Sequence, residues 1–303
     1  MAQRYPSVAL LGATGNIGPH LLQALREAQP PFKSITVLTR ALPSPNTFPS
    51  GVTVKVVDYS STESITDALA GVNAVVSALP IRSATLQNDV FDAAIEAGVK
   101  FFIPSEFGLA STDARINADF QNWKTKYDVA QRLEALKREG KIDGYALVFT
   151  GLFLDWGMEG IFLDLKNKRV NLWDEGNTPV SLTTVASIGK AVVGVLQGKV
   201  AKTEVRVKDI NMSQRRLYEL AEKVTSGEWT VTRWDTAEGV AAAEENIRRG
   251  VPDKTLAFLK RAVSLGGYGS VWGHEEDDSE ALGLREWTEK EVVALIERMV
   301  EKK

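Results

Sequence analysis

Two sets of residues in this chain have the types and spacing to do chemistry. The first is Gly12-x-x-Gly15-x-x-Gly18, inside the stretch VALLGATGNIGPHLLQALREAQ (8–29). An apolar run ends on the first glycine, and a helical pattern starts at the third. In that setting the first glycine permits a tight turn and the second lets a pyrophosphate approach the backbone. The third lets the helix pack against the strand. Free N–H groups at the helix start and the positive end of its dipole suit an anion. Thr14, Asn16 and Ile17 complete the turn, and the two polar ones can add contacts. The second set is a single lysine, Lys126, in NWKTKYDVAQRLEALKREG (122–140). Val129, Leu133 and Leu136 form the apolar face there. Counting back three residues from Val129 or seven from Leu133 lands on Lys126, near the helix start. A lysine in line with a buried stripe is desolvated and gives up its proton more readily, which suits acid/base work. Position alone also allows a snorkelling lysine whose stem covers the edge of the core.

These groups predict a dinucleotide and a proton donor. NAD-binding folds usually place Asp or Glu at the end of the second strand, on the ribose 2′-hydroxyl. Here that strand reads SITVLTR and ends on Arg40. A guanidinium fits a 2′-phosphate in fork geometry, so the expected cofactor is NADP(H). An ordinary surface arginine would look the same in sequence. The Tyr-x-x-x-Lys pair of the short-chain dehydrogenases is absent, because none of the six tyrosines has a lysine four residues on.

The elements that must position these groups alternate between strand and helix in the first half. SVALL (7–11), SITVLTR (34–40), VTVKVVD (52–58), NAVVSAL (73–79), KFFIPSEFG (100–108) and GYALVFTG (144–151) read as strands. They are apolar nearly throughout, as in a parallel sheet buried on both faces. Helical spacing fills the intervals, with one long helix expected over Asn117–Glu139. The pattern predicts an α/β fold: a Rossmann-type doubly wound parallel sheet with a second, smaller α/β substrate domain. We place the nucleotide domain at residues 1–152, with 183–200 returning to it, and the smaller domain at 153–303. Ligands of such sheets bind along the carboxyl edge of the strands. That edge carries Ser77, Ala78 and Leu79 after one strand and Ser105, Glu106 and Phe107 after the next, all counted as cofactor-side candidates. For Glu106, a buried pairing role competes with catalysis. Trp156, Trp173, Tyr268 and Trp272 are candidates for an apolar pocket, though aromatic residues are more often core. The charge run HEEDDSE (274–280) reads as a solvated loop.

Composition narrows the rest. The 303 residues include no cysteine and two histidines, His20 and His274, and the net charge is −3. Thiolate chemistry is excluded, a histidine metal cage is not expected, and no metal site is predicted. Nothing electrostatic points to nucleic acid. No run of apolar residues approaches a membrane span. A cytoplasmic protein is expected, and a homodimer is left open.

Taken together, GATGNIG, VLTR, and KFFIPSEFG followed by TKYDVAQRLEAL resemble the NmrA-like, isoflavone-reductase-like family. This atypical short-chain dehydrogenase group includes phenylcoumaran benzylic ether and pinoresinol–lariciresinol reductases. The likeness is specific over the first half and weak after Gly160. It implies an NADPH-dependent reductase with a cleft between two domains, delivering hydride to an aromatic or conjugated, phenylpropanoid-like small molecule. It puts the catalytic lysine on Lys126, the glycine loop on Gly12, Gly15 and Gly18, and the 2′-phosphate arginine on Arg40. It sets Phe107 beside the nicotinamide and makes Phe153 and Trp156, in GLFLDWG, substrate-side candidates. The loop after the fourth strand, ALPIRSA (78–84), lacks the histidine that some members carry there. Some members of the family bind NAD(P) without catalysis and act through a protein partner. Those commonly lack the lysine, so a cofactor sensor is the alternative reading.

Overall fold

A computed structural model describes residues 4–41, 44, 47–80, 84–120, 123–252 and 256–301. Its first half is the expected alternation: β1 (Ser7–Leu11), α1 (Gly18–Glu27), β2 (Ser34–Thr39), β3 (Thr53–Val56), α2 (Thr62–Ala68), β4 (Ala74–Ser77), α3 (Ala84–Glu96) and β5 (Phe101–Ile103). Next come α4 (Ala114–Asp119), α5 (Lys124–Arg138), β6 (Gly144–Tyr145), β7 (Leu147–Phe149) and β8 (Leu152–Phe153). The remainder contains β9 (Arg169–Trp173), β10 (Pro179–Thr183), α6 (Val185–Leu196), β11 (Glu204–Arg206), β12 (Ile210–Ser213), α7 (Gln214–Val224), β13 (Thr230–Trp234), α8 (Thr236–Arg248), α9 (Ala257–Leu265) and α10 (Glu289–Glu301).

Six strands form one parallel sheet in the order β3-β2-β1-β4-β5-β6. The order reverses between β1 and β4, where open sheets of this kind leave a crevice at the carboxyl ends of the strands. β1 is buried along its whole length, because both faces are covered. Val8 and Leu10 pack with α1 and α6 on one side. Ala9 and Leu11 pack with α2, α3 and α5 on the other. Helix α6 lies against α1 so closely that a Cβ at Gly189 would fall 2.8 Å from Ala24 Cβ and 2.9 Å from the His20 carbonyl oxygen. A third apolar cluster gathers β8–β10, β12, α7 and α9–α10. The strands of this part form small sheets, β12-β10-β8 and β13-β9.

Three expectations are corrected. The single helix over Asn117–Glu139 is two helices. Phe120 adopts an extended conformation (φ −134°, ψ 90°) and ends α4. Its ring is buried against Phe258 and Tyr268, so a long-range apolar contact overrides helical spacing. Gln121 and Asn122 lie outside the described residues. Trp173 and Trp272, offered as pocket aromatics, are core residues at 3% and 2% exposure, and Tyr268 packs on Phe120 with its hydroxyl on Asp119 at 2.6 Å. The run HEEDDSE is not fully solvated. Asp277 Oδ2 lies 2.5 Å from the buried Lys208 Nζ, and Asp278 Oδ1 lies 2.6 Å from Lys202 Nζ. The segment is thereby tied to the end of β11 and to the chain before and after it.

Among the described residues no helix is long and apolar enough to cross a membrane. No group of three metal-ligating side chains is found among them either.

Candidate active site

The glycine turn sits at the reversal of strand order. Gly12 has φ +76°, and a Cβ there would fall 2.5 Å from the Ala78 carbonyl oxygen at the end of β4. Gly18 is more tightly enclosed: its Cβ would lie 2.1 Å from the Gly12 carbonyl oxygen. Gly15 differs from both. Its Cβ would meet only backbone oxygens, at 3.3 and 3.8 Å, and it lines an open cavity. Two glycines thus close the turn, and the middle one leaves room on the cavity side. Helix α1 starts at Gly18 after Ile17, with no side-chain cap and no acidic residue in its first turn. Helices α2, α4, α6, α7 and α8 instead begin with a capping Ser, Asp or Thr side chain. The N-terminal donors of α1 are therefore left for something other than the chain's own side chains. Thr14 and Asn16 are exposed beside them. This donor set and this free space fit a pyrophosphate.

Arg40 follows β2 and is exposed. Leu11 pairs with Leu38, so Arg40 leaves the sheet on the carboxyl edge, level with the glycine turn. Its charge reaches the Tyr59 hydroxyl, whose pKa burial pushes up to about 12 against the opposing pull of Arg40.

The cavity beside the turn has a volume of about 610 Å³. Gly15, Asn16, Ile17, Ala78 and Leu79 line it beside the glycine turn, and Ser105, Glu106, Phe107 and Lys126 line it at the ends of β5 and α5. The far wall holds Phe153 and Trp156, together with Ile161, Leu256 and Leu259. Gly12, Thr14, Gly18, Arg40 and Ser77 stand outside this lining. Ser77 is 1% exposed, and its Oγ has no hydrogen-bond partner among the described residues.

The centre is held by backbone geometry. Phe107 has φ +32°, and its N–H donates to the Val148 carbonyl at 3.0 Å, which locks the turn after β5 against β7. Ser105 donates its N–H to Gln87 Oε1 at 2.9 Å and its hydroxyl to the Leu79 carbonyl at 2.6 Å. The second bond braces the ends of β4 and β5 against each other, and the first ties them to α3.

The helix break at Phe120 puts Lys126 in the first turn of α5, facing that brace. The Lys126 side chain is 16% exposed, and its Nζ donates to the Glu106 carbonyl oxygen and lies 3.9 Å from Glu106 Oε2. Burial lowers the Lys126 pKa, opposed by the Glu106 charge. Burial raises that of Glu106, opposed by Lys126 and by the Ser111 hydroxyl, which donates to Oε1 at 2.9 Å. A lysine with a labile proton at the floor of an apolar cavity can protonate or deprotonate an oxygen brought against it.

Sequence reasoning missed Gln87, Trp123, Ile161, Leu256 and Leu259. Nothing in the spacing of the far-wall residues marks them, since they lie in the second half of the chain. Leu256 carries one local signal visible only in the fold, a left-handed φ of +58° at the start of α9.

The comparisons agree with this architecture. The oxidoreductase aprR of Aspergillus flavus is 30% identical over 295 residues, covering 95% of this chain and 98% of its own length. Among solved structures, a leucoanthocyanidin reductase from Vitis vinifera in a ternary complex superposes with a TM-score of 0.74 at 18% identity, covering 97% of this chain and 99% of its own. AtPrR2 with NADP+ and (+)-pinoresinol gives 0.74 at 20%, covering 99% and 100%. At these identities the structures speak for the fold. The family model described as NmrA-like runs through residues 6–225, from β1 past the end of α7, and on that match the chain belongs to the NmrA-like family.

Proposed function

We propose that the protein is an NADPH-dependent reductase of an aromatic or conjugated small molecule, with Lys126 as its general acid/base. The observation that carries this is the single cavity into which Gly15, the Lys126 amine and an aromatic wall all open. The cofactor would be held by the Gly12–Gly18 turn and the start of α1, its 2′-phosphate by Arg40, and its far end by Ser105, Phe107 and the ends of β4 and β5. Residues 1–152 with 183–200 would bind it, and residues 153–303 would supply the substrate wall. When bound, the reduced nicotinamide supplies a hydride.

The chain's own residues do the rest. Phe153 and Trp156 stack edge to face, with ring centroids 5.7 Å apart, and offer one wall to a flat substrate. Leu256, Leu259 and Ile161 add apolar surface to the same wall. Lys126 Nζ gives its proton to a phenolate or carbonyl oxygen seated against it, and recovers a proton from water through the open mouth.

Lys126→Met keeps the aliphatic stem and removes the amine. Across a panel of aromatic enones and lignans, the variant should lose NADPH oxidation by about 10²-fold or more, while NADPH binding measured by fluorescence stays intact. Undiminished turnover in the variant would sink the acid/base reading. If no compound consumes NADPH with the wild-type protein, yet a protein partner is captured only in the presence of cofactor, a sensor replaces the reductase.

A further inference from the structure

Lys126 has a buried companion that the proposed reaction does not itself use. The Glu106 side chain is 1% exposed, its Oε1 accepts from Ser111 Oγ, and its Oε2 has no hydrogen-bond partner among the described residues. That orphan oxygen is the one lying 3.9 Å from Lys126 Nζ. The same residue's main-chain carbonyl takes a hydrogen bond from Nζ. Buried carboxylates are costly unless paired, and a buried acceptor without a donor is costly too. The ammonium of Lys126 is the cation paired with that carboxylate and offsets the cost of burying its charge, while at 3.9 Å it stops short of a hydrogen bond to Oε2.

We infer that Glu106 is a positioning residue for the reaction, fixing the Lys126 amine between its carbonyl and its carboxylate and holding a proton on that amine. The inference rests on the reading of Lys126 as the acid/base. Burial alone favours the neutral amine, which cannot act as an acid. The Glu106 carboxylate 3.9 Å away moves the balance back toward the ammonium. The groups that face the pair are few. Lys126 comes from α5 and the Ser111 hydroxyl from the loop after β5. Glu204 of β11 acts on Glu106 at longer range, its own carboxylate paired with Arg206 at 2.6 Å. Glu204 works against ionisation of Glu106, and Ser111 and Lys126 work for it. After Lys126 has given its proton to the substrate oxygen, an N–H bond has broken and an O–H bond has formed. The neutral amine then stands beside a carboxylate that favours its reprotonation by water.

The test reads the amine directly. Trace acetylation of the full-length protein with acetic anhydride, followed by mass spectrometry of the Lys126 peptide from neutral to alkaline pH, reports the neutral amine fraction. Glu106→Gln preserves volume and removes the charge. It should raise Lys126 acetylation at neutral pH about tenfold or more, one unit of pKa being tenfold in amine fraction. The alkaline limb of the kcat profile should move to lower pH by the same amount. Ser111→Ala, which removes the donor to Oε1, should move both in the same direction by less. It serves as the second variant if circular dichroism shows that Glu106→Gln does not fold. Acetylation profiles identical to wild type in the folded variants overturn the inference. If the titration moves but Lys126→Met retains turnover, the pair stands and the acid/base reading falls.

Discussion

The Gly12 carbonyl oxygen occupies the place where a side chain at position 18 would begin. A Cβ built on Gly18 falls 2.1 Å from it, and the Ala13 backbone lies at 2.6 Å. No rotamer can relieve that overlap, because all the atoms involved are backbone. Gly18→Ala must push α1 off the turn, while Gly15→Ala meets the Gly12 oxygen at 3.3 Å and projects toward the cavity. The two variants should therefore separate stability from binding. Gly18→Ala should lower the unfolding free energy by about 1–3 kcal/mol or more and abolish NADPH binding. Gly15→Ala should unfold near the wild-type midpoint and still lose most of its NADPH affinity. Thermal melts with and without cofactor, alongside fluorescence titration, distinguish them.

Arg40 is exposed and has the Tyr59 hydroxyl within reach of its charge. Removing it should leave the fold untouched. Arg40→Ala should weaken NADPH by roughly ten- to a hundredfold, the loss of a charge-assisted bond to phosphate. NADH binding should change little. Equal weakening of both cofactors would remove the 2′-phosphate role.

Much of this was legible because it is local. β1, β2, β4 and β5 read as apolar runs because they are buried on both faces, while the edge strand β3 is mostly exposed, and the glycines mark the turn by their spacing. Lys126 could be placed by counting from Val129 and Leu133. What was illegible depends on partners far along the chain. The break at Phe120 answers to Phe258 and Tyr268. Asp277 and Asp278 looked solvated because Lys208 and Lys202 are about seventy residues away. The far wall at Ile161, Leu256 and Leu259 carries no periodic signature, because its residues share only the cavity.

Aromatic residues divide in the same way between pocket and core, and the division predicts opposite phenotypes. Trp156 is 48% exposed at the cavity, and Trp272 is 2% exposed under the sheet. Trp156→Ala should cost about 1 kcal/mol or less in stability and raise KM. Trp272→Ala should cost about 3–5 kcal/mol, with KM unchanged in whatever fraction folds. Urea unfolding and steady-state kinetics on both variants check this.

Asp209 gives a pH dependence with a definite sign. It is buried at the start of α6. Its Oδ2 accepts the Thr184 N–H at 2.6 Å and its Oδ1 accepts the Ser187 hydroxyl at 2.7 Å. Burial raises its pKa above the ordinary 3.8, and the charge of Asp155 pushes the same way, while the Thr184 and Ser187 donors resist. A raised folded pKa means that the native state binds the proton more tightly. The stability this supplies is full below 3.8 and is lost as pH rises through the raised value. Asp209→Asn should flatten that decline and cost little at neutral pH, because the amide oxygen still caps Thr184. Asp209→Ala orphans both donors and should cost about 1–3 kcal/mol. Urea midpoints measured from pH 4 to neutral would contradict the assignment if wild type and Asp209→Asn run parallel.

Asp155 connects the Phe153–Trp156 segment to the start of α6. Its carboxylate accepts the Trp156 N–H at 2.8 Å and the Val185 N–H at 3.1 and 3.2 Å. Val185 opens α6, where a negative charge is favoured by the helix dipole, and α6 packs tightly on α1 through Gly189. The aromatic wall is thus registered to the glycine turn through one carboxylate. Asp155→Ala should free the Phe153–Trp156 segment and leave the Val185 N–H without its acceptor. The expected result is a KM raised by about tenfold, from the loss of a charged hydrogen bond, with NADPH affinity near wild type because α1 does not move. Asp155→Asn retains one acceptor and should fall between the two. A variant whose NADPH affinity falls as far as its substrate affinity would mean that Asp155 supports α1 itself, and that the wall is positioned by other contacts.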